Sequence, residues 1–134
     1  MKFNVTFQST FPVDIDKHPR GEELADYLAA RLRERGFEIV SVDNYDDFAW
    51  SLDFKTTFSP WLLVGHVGDG VYEWLIQINS GIGWLGRFFG RSDQQLLQSV
   101  TKSLHTILTE DACFSEIRWH EGDFAEECWS RSPE

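Results

Sequence analysis

Trp61-Leu62-Leu63-Val64-Gly65-His66-Val67-Gly68-Asp69-Gly70-Val71-Tyr72-Glu73-Trp74-Leu75-Ile76-Gln77-Ile78-Asn79 is the stretch that decides the fold. Two apolar, β-branched runs flank Asp69-Gly70, the dipeptide favoured in a type I′ turn, where both central residues take positive φ. Taking those two residues as the turn sets Val67 opposite Tyr72, Gly65 opposite Trp74, Leu63 opposite Ile76 and Trp61 opposite Ile78. One face of the hairpin is then wholly apolar, and Gly65 leaves room for the Trp74 indole. On the other face His66 meets Glu73. The segment therefore predicts an antiparallel hairpin over 61–67 and 71–79.

Working outward, residues 2–8 place Phe3, Val5 and Phe7 on one side of a strand and Lys2, Asn4, Thr6 and Gln8 on the other. Pro19 suits the start of a helix near 20–35, where Leu24, Tyr27, Leu28, Arg31 and Leu32 fall at helical spacing. Gly36 supplies a left-handed stop, against which Phe37 packs back. Residues 38–43 read as a strand, Asn44 to Asp47 as a turn, and 48–54 as a strand with Phe48, Trp50, Leu52 and Phe54 on one face. Ser92 with Gln95 forms a capping box for a second helix running to about Glu110. Its stripe is Leu97, Val100, Leu104 and Leu108. Residues 114–120 read as a last strand with Ile117 and Trp119 on one side.

The order β-α-β-β-β-β-α-β predicts one α+β domain spanning 1–134: a largely antiparallel sheet of five to six strands with two helices on one face. A helical crossover makes the first strand and the strand after the first helix parallel. The acidic segment 121–134 is expected to pack loosely.

The 134 residues carry 22 acidic and 12 basic side chains, a formal charge of −10. That balance disfavours binding to phosphates and to anionic membranes, and it steers the protein towards a basic partner. Acidity gathers at Asp43, Asp46, Asp47 and Asp53, and again at Glu121, Asp123, Glu126 and Glu127. The first residues lack the apolar stretch of a secretory signal, so Cys113 and Cys128 are expected as reduced thiols in a cytoplasmic protein.

Motifs with chemistry are few. Gly81-Ile82-Gly83-Trp84-Leu85-Gly86 matches G-x-G-x-x-G, but it follows a hairpin strand and no helix opens at once, so it reads as a turning connection. Trp84, Phe88 and Phe89, flanked by Arg87 and Arg91, form either a helical turn tucked under the core or an aromatic patch that anchors an interface. His120, Glu121 and Asp123 have no metal-site spacing, and no cofactor motif is present.

Two functional readings follow. The first is a non-enzymatic module that binds a basic protein partner through an acidic, aromatic-rich surface. Asp43, Asp46, Asp47, Asp53, Glu121, Asp123, Glu126 and Glu127 supply charge, and Trp84, Phe88 and Phe89 supply buried contact. Its composition is similar to that of small acidic inhibitors such as bacterial immunity proteins, a likeness of size, charge and Trp content that no motif carries. The second is a small hydrolase-like enzyme whose His66, Glu73 and His120 meet on the helix-free face of the sheet. In a third arrangement the surplus rings pack against a second copy of the chain.

Overall fold

The computed structural model describes residues 1–13, 16, 19–55, 60–67, 74–79, 91–121 and 129–134, with backbone alone at 91–94. Among them are seven strands and two helices. In chain order these are β1 (Asn4–Ser9), α1 (Glu22–Glu34), β2 (Ile39–Tyr45), β3 (Ala49–Phe54), β4 (Trp61–His66), β5 (Trp74–Asn79), α2 (Arg91–Glu110), β6 (Phe114–His120) and β7 (Trp129–Ser130). The strands form one sheet ordered β2-β3-β4-β5-β1-β6-β7, and every neighbouring pair is antiparallel. The protein is thus α+β, with seven strands among the described residues rather than five or six. β1 and β2 do run the same way, but three strands separate them and they share no ladder.

The seventh strand comes from the chain's end. Trp129 pairs with His120 and Ser130 with Trp119. Of the segment 121–134, expected to pack loosely, residues 122–128 lie outside the described residues; in the remainder Lys2 N–H donates to Pro133 O at 2.6 Å and Lys2 Nζ donates to Ser130 Oγ at 2.7 Å.

Helix α1 presents Leu24, Ala25, Leu28, Ala29 and Leu32 to the core. Glu22 and Glu23 in its first turn and Arg31 and Arg33 in its last oppose the ends of its dipole. It ends as its sequence predicts. Gly36 sits at φ 94°, its N–H reaches Arg33 O, and the Phe37 N–H reaches Leu32 O, so orphan carbonyls are satisfied. In α2, Val100, Leu104, Ile107 and Leu108 are buried. Both helices cover the face carrying Val5, Phe7, Leu52, Leu62, Val64, Trp74, Ile76 and Trp119. Pro19 O, just ahead of α1, accepts from Trp50 Nε1 at 3.1 Å, and His105 Nδ1 of α2 accepts from Trp119 Nε1 at 3.0 Å.

The β4–β5 ladder is antiparallel as predicted, but its register is slipped by one residue. Trp74 lies opposite His66, Leu75 opposite Gly65, Ile76 opposite Val64 and Gln77 opposite Leu63. A two-residue turn at Asp69-Gly70 would demand the other register; the turn itself lies outside the described residues. The cause is legible in β4: Trp61 to Val64 are all apolar, so either face of that strand can enter the core. The slip turns His66 to the helix-covered side, where its ring meets Trp74 edge-on at 4.9 Å.

Candidate functional site

The sequence-predicted residues separate into distinct places. His66 sits on the helix-covered face of β4. His120 is on the opposite face of β6, 3% exposed, with its Nε2 2.8 Å from Thr6 Oγ1. Three strand spacings of ~4.8 Å also divide β4 from β6. The structure does not bring these histidines together, and His66 faces Trp74 where Glu73 was expected. Glu73, Trp84, Phe88, Phe89, Asp123, Glu126 and Glu127 lie outside the described residues, as do Cys128 and the glycine-rich segment 81–86. Glu121 is exposed at the end of β6.

The first acidic cluster is organised around the β2–β3 hairpin. Asp46 and Asp47 take positive φ, 49° and 60°, and the Phe48 N–H returns to Tyr45 O at 3.2 Å, which is the geometry of a type I′ turn. Asn44 locks it: its Nδ2 donates to Asp47 Oδ1 at 2.8 Å and its Oδ1 accepts from the Asp47 N–H at 2.9 Å. Asp43, Asp46 and Asp47 are exposed, and among the described residues none has a cationic partner within 4 Å. Asp53 behaves differently. Its two carboxylate oxygens accept from Ser41 Oγ at 3.0 Å and Ser51 Oγ at 3.1 Å, so it ties β2 to β3.

Beside these carboxylates lies an aromatic run that sequence reasoning did not single out. Tyr45, 37% exposed, meets Phe48 edge-on at 5.5 Å and stacks on Trp61 at 5.3 Å with planes 28° apart. Tyr45 and Trp61 come from strands on either side of β3, on the helix-free face. The β3 side chains beneath that span are small, and both are buried: Ala49 at 1% and Ser51 at 6%. Small residues on the middle strand let the two rings meet across it. Phe48, expected on the core face of β3, lies in the turn ahead of that strand and is 58% exposed. The signal available in sequence was its place next to Asp46-Asp47, since residues flanking a tight turn project outward.

A second feature is a cavity of about 340 Å³ at the other edge of the sheet, lined by Thr109, Glu116, Ile117, Arg118, Trp129 and Arg131. Arg118 stacks over the Trp129 ring at 4.9 Å and pairs with Glu116 at 3.6 Å.

No family model, curated protein or solved structure matches this chain. The reading of function therefore rests on its own geometry. Among the described residues no three His, Cys, Asp or Glu side chains are placed to hold a metal ion, and no helix is long and apolar enough to cross a membrane. Burial pushes the Cys113 thiol above its ordinary pKa, which lowers the thiolate population a nucleophile needs.

Proposed function

We propose that the protein is a non-enzymatic binding module that docks a basic protein partner on the β2–β3 end of its sheet. One observation carries the reading: three exposed carboxylates without cationic partners among the described residues adjoin exposed aromatic rings on a turn held rigid by Asn44. Unpaired charge of one sign speeds encounter with the opposite sign, and flat aromatic side chains supply contact area at low entropic cost. Tyr45, Phe48 and Trp61 take the anchoring role. An inhibitor of the immunity type, covering the cationic surface of another protein, is the partner relationship this chemistry fits. The enzymatic alternative has no shared site among the described residues, because His66 and His120 face opposite sides of the sheet.

The test is affinity capture from native extract with the wild type, with a triple variant (Asp43→Asn, Asp46→Asn, Asp47→Asn) and with Phe48→Ala. Asn keeps the tolerance for positive φ, so the turn survives. The expected result is a basic protein held by the wild type and lost at least tenfold by the triple variant and by Phe48→Ala, with thermal unfolding of the triple variant no lower than that of the wild type. Retention by both variants, with no response to 0.5 M salt, overturns the reading.

A further inference from the structure

We propose that the cavity beside β6 and β7 binds a small aromatic anion, a carboxylate or phosphate monoester carried on a planar ring. The cavity has a structural cause. Among the described residues β7 pairs only with Trp119 and His120, and the chain then turns away, with Ser130 Oγ donating to Ser132 O at 2.6 Å and Pro133 O held by the Lys2 N–H. The edge of β6 at Glu116 to Arg118 is therefore left without a strand partner among the described residues. Glu116 takes a positive φ of 52° there, where the β1–β6 register shifts. The volume of about 340 Å³ lies within the range of small-molecule sites, roughly 300–1,000 Å³.

The lining selects charge and shape. Among the described residues two guanidinium groups and one carboxylate line the cavity, so their sum is positive in a chain of net charge −10. Arg131 has no acidic partner among the described residues. Arg118 is paired with Glu116 at 3.6 Å, longer than the ~2.7–2.9 Å of a charge-assisted hydrogen bond, so an anion able to bond both nitrogens of the fork displaces that carboxylate. Ile117 and the part of the 42% exposed Trp129 ring that Arg118 does not cover supply a flat apolar wall for a ring. The site lies at the opposite edge of the sheet from the β2–β3 turn, about five strand spacings of ~4.8 Å away, and is independent of the docking surface.

Titration of the ¹⁵N-labelled protein with benzoate and with phenyl phosphate, followed through the Trp129 indole N–H, tests this. Saturable shifts confined to Ile117, Arg118, Trp129 and Arg131 are expected, with none from benzamidine, which has the same ring and the opposite charge. The tighter of the two anions assigns the headgroup, and inorganic phosphate at least tenfold weaker than phenyl phosphate confirms the need for a ring. Arg131→Ala should weaken binding at least tenfold. Glu116→Gln, which removes the competing carboxylate, should strengthen it about threefold, a gain that a merely structural Glu116 does not give. Absence of a saturable shift with both anions, equal binding of benzamidine, or affinities unmoved by Arg131→Ala and Glu116→Gln overturns the proposal.

Discussion

Trp74 shows how one side chain sets demands on residues remote in sequence. It is fully buried, and among the described residues its Nε1 finds no acceptor, so its place in the core rests on shape. The glycine that accommodates it is Gly21, not the Gly65 the hairpin pattern suggested. A Cβ at Gly21 would lie 2.5 Å from Trp74 Cζ3, whereas one at Gly65 would make only ordinary contacts of 3.7–3.8 Å. Gly21 also takes φ 98° as the residue before α1, a conformation that L side chains rarely adopt. Gly21→Ala should therefore cost about 2–4 kcal/mol, the sum of backbone strain and overpacking, seen as a lower urea midpoint at unchanged m. In the Trp74→Phe background the same substitution should cost at least ~1 kcal/mol less, because the ring atoms it strikes are gone. Equal costs in the two backgrounds would show that Gly21 serves backbone conformation alone.

At the scale of elements, the joint between α2 and β6 couples stability to pH. Trp119 Nε1 donates to His105 Nδ1 at 3.0 Å, which requires that nitrogen to be unprotonated, and burial lowers the His105 pKa from its ordinary value near 6.5. Below pH 6.5 the unfolded chain takes up a proton that the folded chain refuses, so this contribution is present above pH 6.5 and is lost as pH falls through that window. Urea unfolding at pH 7.5 and 5.5 should show the wild type losing more stability than His105→Leu; parallel losses in the two proteins would refute the coupling. The elements themselves were largely legible in the sequence. The period of α1, its glycine stop, the Asn44–Asp47 turn and the bounds of β6 follow from local physics, which is where local preference and tertiary packing agree. Register was not legible, because four consecutive apolar residues in β4 carry no information about which side faces the helices. Strand order was equally hidden: β1 lies between β5 and β6 although 64 residues of chain separate Ser9 from Trp74. The two-residue β7 is too short for any periodicity. Of the docking surface, the carboxylates could be read directly from charge clustering. The Tyr45–Trp61 stack could not, since it depends on two strands meeting across the small residues of a third.

For the whole molecule, charge acts on stability and on association with opposite signs. The ion pairs Arg31–Asp111, Arg31–Glu34 and Arg35–Glu110 gather where α1 meets the end of α2, far from the β2–β3 turn. Tyr27 joins the same corner by donating to Asp111, whose carboxylate pushes the phenol pKa up to about 12. Elsewhere among the described residues the acidic groups have few close cations, so with a net charge of −10 the folded chain repels itself and salt should relieve that repulsion. Raising NaCl from 0.05 to 0.5 M is expected to increase the urea midpoint, while the same change weakens capture of a basic partner at least tenfold. The triple Asp→Asn variant, with formal charge −7 instead of −10, should gain less stability from salt and start from an equal or higher midpoint without it. That combination assigns Asp43, Asp46 and Asp47 to association at a cost in folding. A triple variant that is less stable than the wild type at low salt, or that gains as much from salt, would mean these carboxylates serve the fold, and the docking surface would have to be sought elsewhere on the sheet.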